Sequence, residues 1–158
     1  MSAELIKVEE GLRSLRLDRL VEFTKKIEDI SKGFNAMLAP VYLRDFIMAY
    51  DFTNTMLASA MRMYGIADSA LRSAEAIAYF ENAPGYLQSK GVKESDAARK
   101  RYIPMDPDVQ HADKVKAQAE AMVVFLKNKL QCFRLAHDDV KKIAYANEYS
   151  NDSPNEGM

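Results

Sequence analysis

With 158 residues, 48% hydrophobic and 28% charged, the chain is long enough for one domain with a real core and ordinary in composition for a soluble protein. Its 22 basic and 23 acidic residues nearly cancel, so global charge announces neither a nucleic-acid nor a membrane partner; such a partner needs a local patch. The single cysteine, Cys132, excludes an internal disulfide and a cysteine-based metal site.

Residues 3 to about 34 read as helix in two phases. Leu5, Val8, Leu12 and Leu15 form one apolar stripe, and Leu20, Phe23, Ile27, Ile30 and Phe34 form a second. The step between Leu15 and Leu20 predicts a stutter or break near Asp18, which could cap the second piece. Lys32-Gly33 offers a helix end, although Phe34, Met37 and Leu38 could carry the pattern on to Pro40. Pro40 then suits the first position of a helix running through Phe46, Ile47, Met56, Ala60 and Tyr64. Ile66, Ala70, Ala74 and Ile77 continue it past Gly65, so one long or kinked helix is expected from 41 to about 82. No stretch alternates long enough to make a strand.

Residues 82–94 hold the breakers, with Pro84, Gly85 and Gly91, and read as a connector. Ser95 looks like the N-cap of a short helix from Asp96 to about Ile103, stopped by Pro104. The main element follows. Asp106 is an N-cap, Pro107 suits the first helical position, and Asp108 places negative charge where the helix dipole is positive. Val109, Ala112, Ala119, Val123, Leu126, Leu130, Phe133 and Val140 then recur at spacings built from threes and fours, with Lys116 and His137 filling the two gaps. The predicted helix spans about 38 residues, roughly 57 Å. Its broad apolar stripe, flanked by small residues, predicts an all-α fold: a helical bundle of long helices that self-associates through this seam. Cys132 is expected as a buried, inert thiol. One helical domain over 1–149 and a disordered tail over 150–158 complete the expected organisation.

Catalytic signatures are thin. The chain has no Gly-rich phosphate loop, no HExxH and no nucleophile elbow, so no enzymatic activity and no cofactor are expected. His111 and His137 lie 26 residues apart on one helix. About 39 Å then separates them, too far to share a metal. Glu9-Glu10 and Asp138-Asp139 diverge on a helix and read as solvated surface.

Local charge in the connector is the functional signal. Lys90, Lys93, Arg99, Lys100 and Arg101 face Glu94 and Asp96 in sequence, with Tyr79, Phe80, Tyr86 and Tyr102 nearby. Cations neutralise phosphates and aromatic faces stack on unpaired bases, which suits a single strand better than duplex readout. The bland alternative is a solvated basic face beside structural tyrosines. Arg13, Arg16 and Arg19 make a second basic edge, read most simply as the solvent side of the first helix.

The block Lys93-Glu94-Ser95, Asp106-Pro107-Asp108-Val109, Asp113, Phe125, Leu130 and Val140-Lys141-Lys142-Ile143 resembles the C-terminal half of the T4-type phage recombination mediators, the UvsY-like family. The resemblance covers about 50 residues. It implies a small, all-helical, ring-forming protein that binds single-stranded DNA and helps load a RecA-like recombinase onto strands covered by single-strand-binding protein. It also implies a basic DNA-contact segment before the C-terminal block. Here the equivalent stretch holds only Arg72 and Lys90, and the stronger cluster is displaced to Lys93, Arg99, Lys100 and Arg101.

The expected function is therefore that of a recombination mediator, homo-oligomeric, with single-stranded DNA, recombinase and single-strand-binding protein as partners. The expected nucleic-acid contacts are Lys90, Lys93, Arg99, Lys100, Arg101, Tyr102, Arg72 and Tyr86. No basic and apolar leader and no run of roughly 18 apolar residues occurs, so no membrane partner is expected and the cytoplasm is the expected location, that of the host if the chain is phage-encoded. The alternative is a helical virion, assembly or adaptor protein without nucleic-acid binding.

Overall fold

Apolar residues at spacings of three and four become helix along almost the whole chain. The computed structural model describes residues 3–33 and 35–151, and among these there is no strand. The elements are α1 (Ala3–Arg13), α2 (Leu17–Ser31), a 3-10 turn (Ala36–Leu38), α3 (Ala39–Ile77), a π turn (Ala78–Asn82), α4 (Ala83–Ser89), α5 (Asp96–Tyr102), a second 3-10 turn (Ile103–Met105) and α6 (Pro107–Asn151). The fold is an all-α bundle built from a few long helices.

The break between α1 and α2 falls where the stripe changes phase. Ser14 Oγ donates to the Gly11 carbonyl at 2.7 Å and closes α1. Arg16, not Asp18, occupies the cap position of α2, and its guanidinium donates to both Asp18 carboxylate oxygens at 3.0 and 2.8 Å. Asp18 thus supplies first-turn negative charge in place of the expected cap. α2 ends at Ser31 with Lys32 as its C-cap, and Gly33 follows at φ +97°, a left-handed conformation that glycine adopts without Cβ strain. Asn35 accepts from the Met37 amide at 3.0 Å to open the 3-10 turn. α3 starts one residue before Pro40 and passes Gly65 without interruption. Phe34 lies outside the described residues.

Among the described residues the packing groups into two compact units, residues 3–15 with 58–124 and residues 16–33 and 35–57 with 125–151. In the first unit, Leu5 and Val8 of α1 pack with Ala67, Ala70, Leu71 and Ala78, and with Val109, Ala112 and Val115 of α6. Alanine dominates this core, and helices lined by small side chains approach closely. At Gly11 an added Cβ would stand 2.7 Å from Met63 Cε. In the second unit Leu20, Phe46, Ala49, Leu126, Phe133 and Val140 are buried, and Phe23 meets Phe133 edge-on with centroids 6.1 Å apart. Buried Asp45 is ion-paired with Lys26, and Lys129 Nζ donates to Thr24 Oγ1 at 3.1 Å.

Several expectations change. Val109, Ala112, Ala119, Leu126, Phe133 and Val140 are at most 5% exposed within the single chain, and Val123 and Leu130 are half-buried. Most of the expected oligomer seam is thus covered within the chain itself. Cys132 is exposed, not buried, because it faces away from its neighbour Phe133. α6 runs to Asn151, so the expected tail begins inside a helix, and residues 152–158 lie outside the described residues. The connector of 82–94 is helical over α4, where Pro84 sits in the first turn and needs no amide partner.

Candidate nucleic-acid interface

The corner formed by the π turn, α4, α5 and the start of α6 lies wholly in the first unit. Its geometry begins with a phase slip in the apolar pattern. Ala67, Ala70, Leu71 and Ala78 are buried at helical spacing, and the next buried positions are Ala83 and Leu87. Five residues separate Ala78 from Ala83, so an α-helix would rotate Ala83 away from the core, whereas a π turn keeps it facing inward.

Asp106 fastens the corner. Its side chain is 2% exposed. Oδ1 accepts from the amides of Asp108 at 2.9 Å and Val109 at 3.3 Å, which is the predicted N-cap. Oδ2 accepts from Asn82 Nδ2 at 2.8 Å and from the Tyr102 hydroxyl at 3.1 Å. Burial on its own pushes this carboxyl up, yet the hydrogen bonds from Asn82, the Val109 and Asp108 amides and Tyr102 outweigh it and hold Asp106 below the usual carboxylate range. A carboxylate accepting four donors is stabilised as the anion.

Around this knot lie most of the sequence-derived site residues. Tyr86 and Tyr102 pack ring to ring with centroids 4.7 Å apart, and Lys90 Nζ lies 5.9 Å from the Tyr86 ring. The Tyr79 hydroxyl donates to Asp96 Oδ1 at 2.6 Å, while Lys100 Nζ pairs with Oδ2 at 2.9 Å. These two hydrogen bonds, Tyr79's first, depress the Asp96 carboxyl. Arg99 is ion-paired with Glu94 and stands 5.3 Å over the Tyr79 ring, and the Glu94 hydrogen bond raises its pKa. Ser95 caps α5 by accepting from the Ala98 amide at 3.2 Å.

The expected contact residues therefore separate into groups. Lys90, Lys93 and Arg101 are exposed and make no ion pair among the described residues. Arg99 and Lys100 are held by acids of the same corner. Tyr86 and Tyr102 are half-buried and largely committed to each other and to Asp106, so their faces are not the open stacking platforms the sequence reading expects. Arg72 belongs to a separate ion cluster, pairing at 2.8 Å with Asp68, which also takes Lys116 at 2.7 Å. Phe80, which the sequence marks only as a neighbour of the cations, is the most exposed aromatic residue of the corner at 68%.

Elsewhere, Arg16 is tied to Asp18 and Arg19 stands 5.7 Å over the Phe52 ring, so the second basic run is partly engaged. The second unit carries an open groove of about 600 Å³ lined in part by Met37, Pro40, Leu43, Ile47, His137 and Tyr145. No group of three or more His, Cys, Asp or Glu among the described residues is arranged to hold a metal. Among the described residues, no helix is long and apolar enough to cross a membrane. Compared with known protein families, curated proteins and solved structures, the chain matches none.

Proposed function

We propose that this chain is a non-enzymatic helical protein that binds single-stranded DNA at the α4–α5 corner and acts as a recombination mediator of the T4 phage type. In that role it helps a RecA-like recombinase load onto strands covered by single-strand-binding protein. The observation that carries the reading is the set of three exposed cations, Lys90, Lys93 and Arg101, which make no ion pair among the described residues and lie on one segment bracketed by Asn82 and Tyr102, both bonded to Asp106. Arg99 and Lys100 form a reserve: strand phosphates can replace Glu94 and Asp96 as their partners. Phosphate contacts by the unpaired cations release counterions, so affinity falls by about 0.7 log units per tenfold rise in salt for each phosphate neutralised. The mediator role itself rests on the resemblance of the C-terminal block.

Fluorescence anisotropy of a labelled oligo-dT at several salt concentrations, with duplex DNA as control, tests the reading. Salt-sensitive preference for the single strand is expected. The double variant Lys93→Ala/Arg101→Ala should bind more weakly and lose about 1.4 from the salt slope. Equal affinity for duplex, or an unchanged slope in the variant, contradicts it.

A second reading, a helical assembly or adaptor protein, is favoured by the groove of the second unit. Met37, Ile47 and Tyr145 on its walls are 84%, 53% and 52% exposed. Contiguous apolar surface of this kind is a common mark of protein docking. That reading expects no salt-dependent affinity for oligo-dT.

A further inference from the structure

We infer that Phe80, at the apex of the π turn, is the base-stacking residue of this site; the inference rests on the single-strand reading above. Four aromatic rings surround the corner, and three are in use. Tyr86 and Tyr102 pack on each other, and Tyr79 is fixed by its 2.6 Å hydrogen bond to Asp96 and by Arg99 over its ring. Phe80 meets Tyr79 edge-on, with centroids 4.8 Å apart and planes at 79°, and remains 68% exposed. One side of its ring is thus braced while the rest faces solvent.

The backbone explains why an aromatic ring stands there. Between buried Ala78 and Ala83 the π turn holds one residue more than an α-helix would, and the positions between them are carried outward. Phe80 occupies that outer arc. It is linked to the charged groups through Tyr79, whose hydroxyl reaches Asp96 and hence Lys100, and whose ring carries Arg99. A braced ring beside cations is what sequence-tolerant single-strand recognition uses: phosphates take the cations and a base takes the ring. Phe80 loses little side-chain entropy when a base stacks on it, because contact with Tyr79 already limits its ring.

The chain contains no tryptophan, so Phe80→Trp introduces a unique fluorophore at the stacking position. Saturating oligo-dT is expected to quench it, and an abasic strand of equal length is expected to leave it unchanged. Phe80→Ala should lower oligo-dT affinity by between about 5-fold and about 150-fold, the range of one base–aromatic stack, with no change in salt slope because no phosphate contact is lost. Phe80→Leu, which keeps apolar bulk, should behave like Phe80→Ala. Circular dichroism checks that the variants fold, which the exposure of this side chain favours. Wild-type binding with Phe80→Ala unaffected, Phe80→Leu matching wild type, or no quenching by saturating oligo-dT overturns the stacking assignment while the single-strand reading stands. Absence of wild-type binding removes both.

Discussion

Replacing Asp106 with alanine tests whether the corner depends on one buried carboxylate. The substitution removes the N-cap of α6, typically about 1 kcal/mol and up to about 2. It also strips the acceptor from Asn82 and Tyr102, whose bonds to a charged group contribute up to about 1.5–3 kcal/mol each. Asn82 is exposed and can turn to water, so its share falls at the low end or below, whereas the half-buried Tyr102 hydroxyl has fewer alternatives. A loss of about 3–4 kcal/mol is expected for Asp106→Ala. Asp106→Asn keeps a capping oxygen but presents an amide to donors, and about half that loss is expected. Urea denaturation measures both; thermal melting should drop by about 10 °C for Asp106→Ala. The pH dependence gives a second check. Asp106 has a folded pKa below its unfolded value, near 3.9, so its stabilisation is complete above that value and disappears as pH falls through the depressed folded value. The stability gap between wild type and Asp106→Asn should therefore hold from neutral pH to about 5 and close in stronger acid. A cost below about 1 kcal/mol for Asp106→Ala, or a gap independent of acid, refutes the account.

Further expectations follow from the same geometry. Glu94→Gln removes the carboxylate that pairs Arg99 and should raise oligo-dT affinity by about threefold to tenfold, with a steeper salt slope as one more cation meets phosphate; titration by anisotropy decides it, and weaker binding contradicts the reserve-cation argument. Gly11→Leu should cost no more than about 1 kcal/mol in urea denaturation, because the Cβ it adds stands 2.7 Å from Met63 Cε, the end of a flexible side chain that can turn aside, and leucine is the better helix former. Adding Met63→Ala should recover part of that loss, and additive costs in the double variant would show that the two sites do not touch. Cys132 should react with a maleimide in the native protein at a rate within about tenfold of a free thiol, since it is exposed; protection until denaturation would place it back in the core.

The helices are legible in the sequence because helix signals are local. Asp106 and Ser95 cap the helices they were read to cap, Gly33 ends α2, and the apolar spacing marks every long element. The sequence also locates the basic segment, since Lys90, Lys93, Arg99, Lys100 and Arg101 lie within a dozen residues. Tertiary structure alone decided what those features face. A stripe of small and branched side chains looks the same whether a second copy or the same chain covers it, and here α6 is covered from within. The partners that occupy Arg99 and Lys100 were close in sequence, but the Asn82–Asp106 bond spans 24 residues and no spacing rule announces it. Whether a tyrosine offers its face or spends it on a neighbour depends on packing between α4, α5 and the π turn. A one-residue slip in the buried pattern is the feature that turned Phe80 outward, and its consequence becomes visible only once the core fixes which way Ala78 and Ala83 must point.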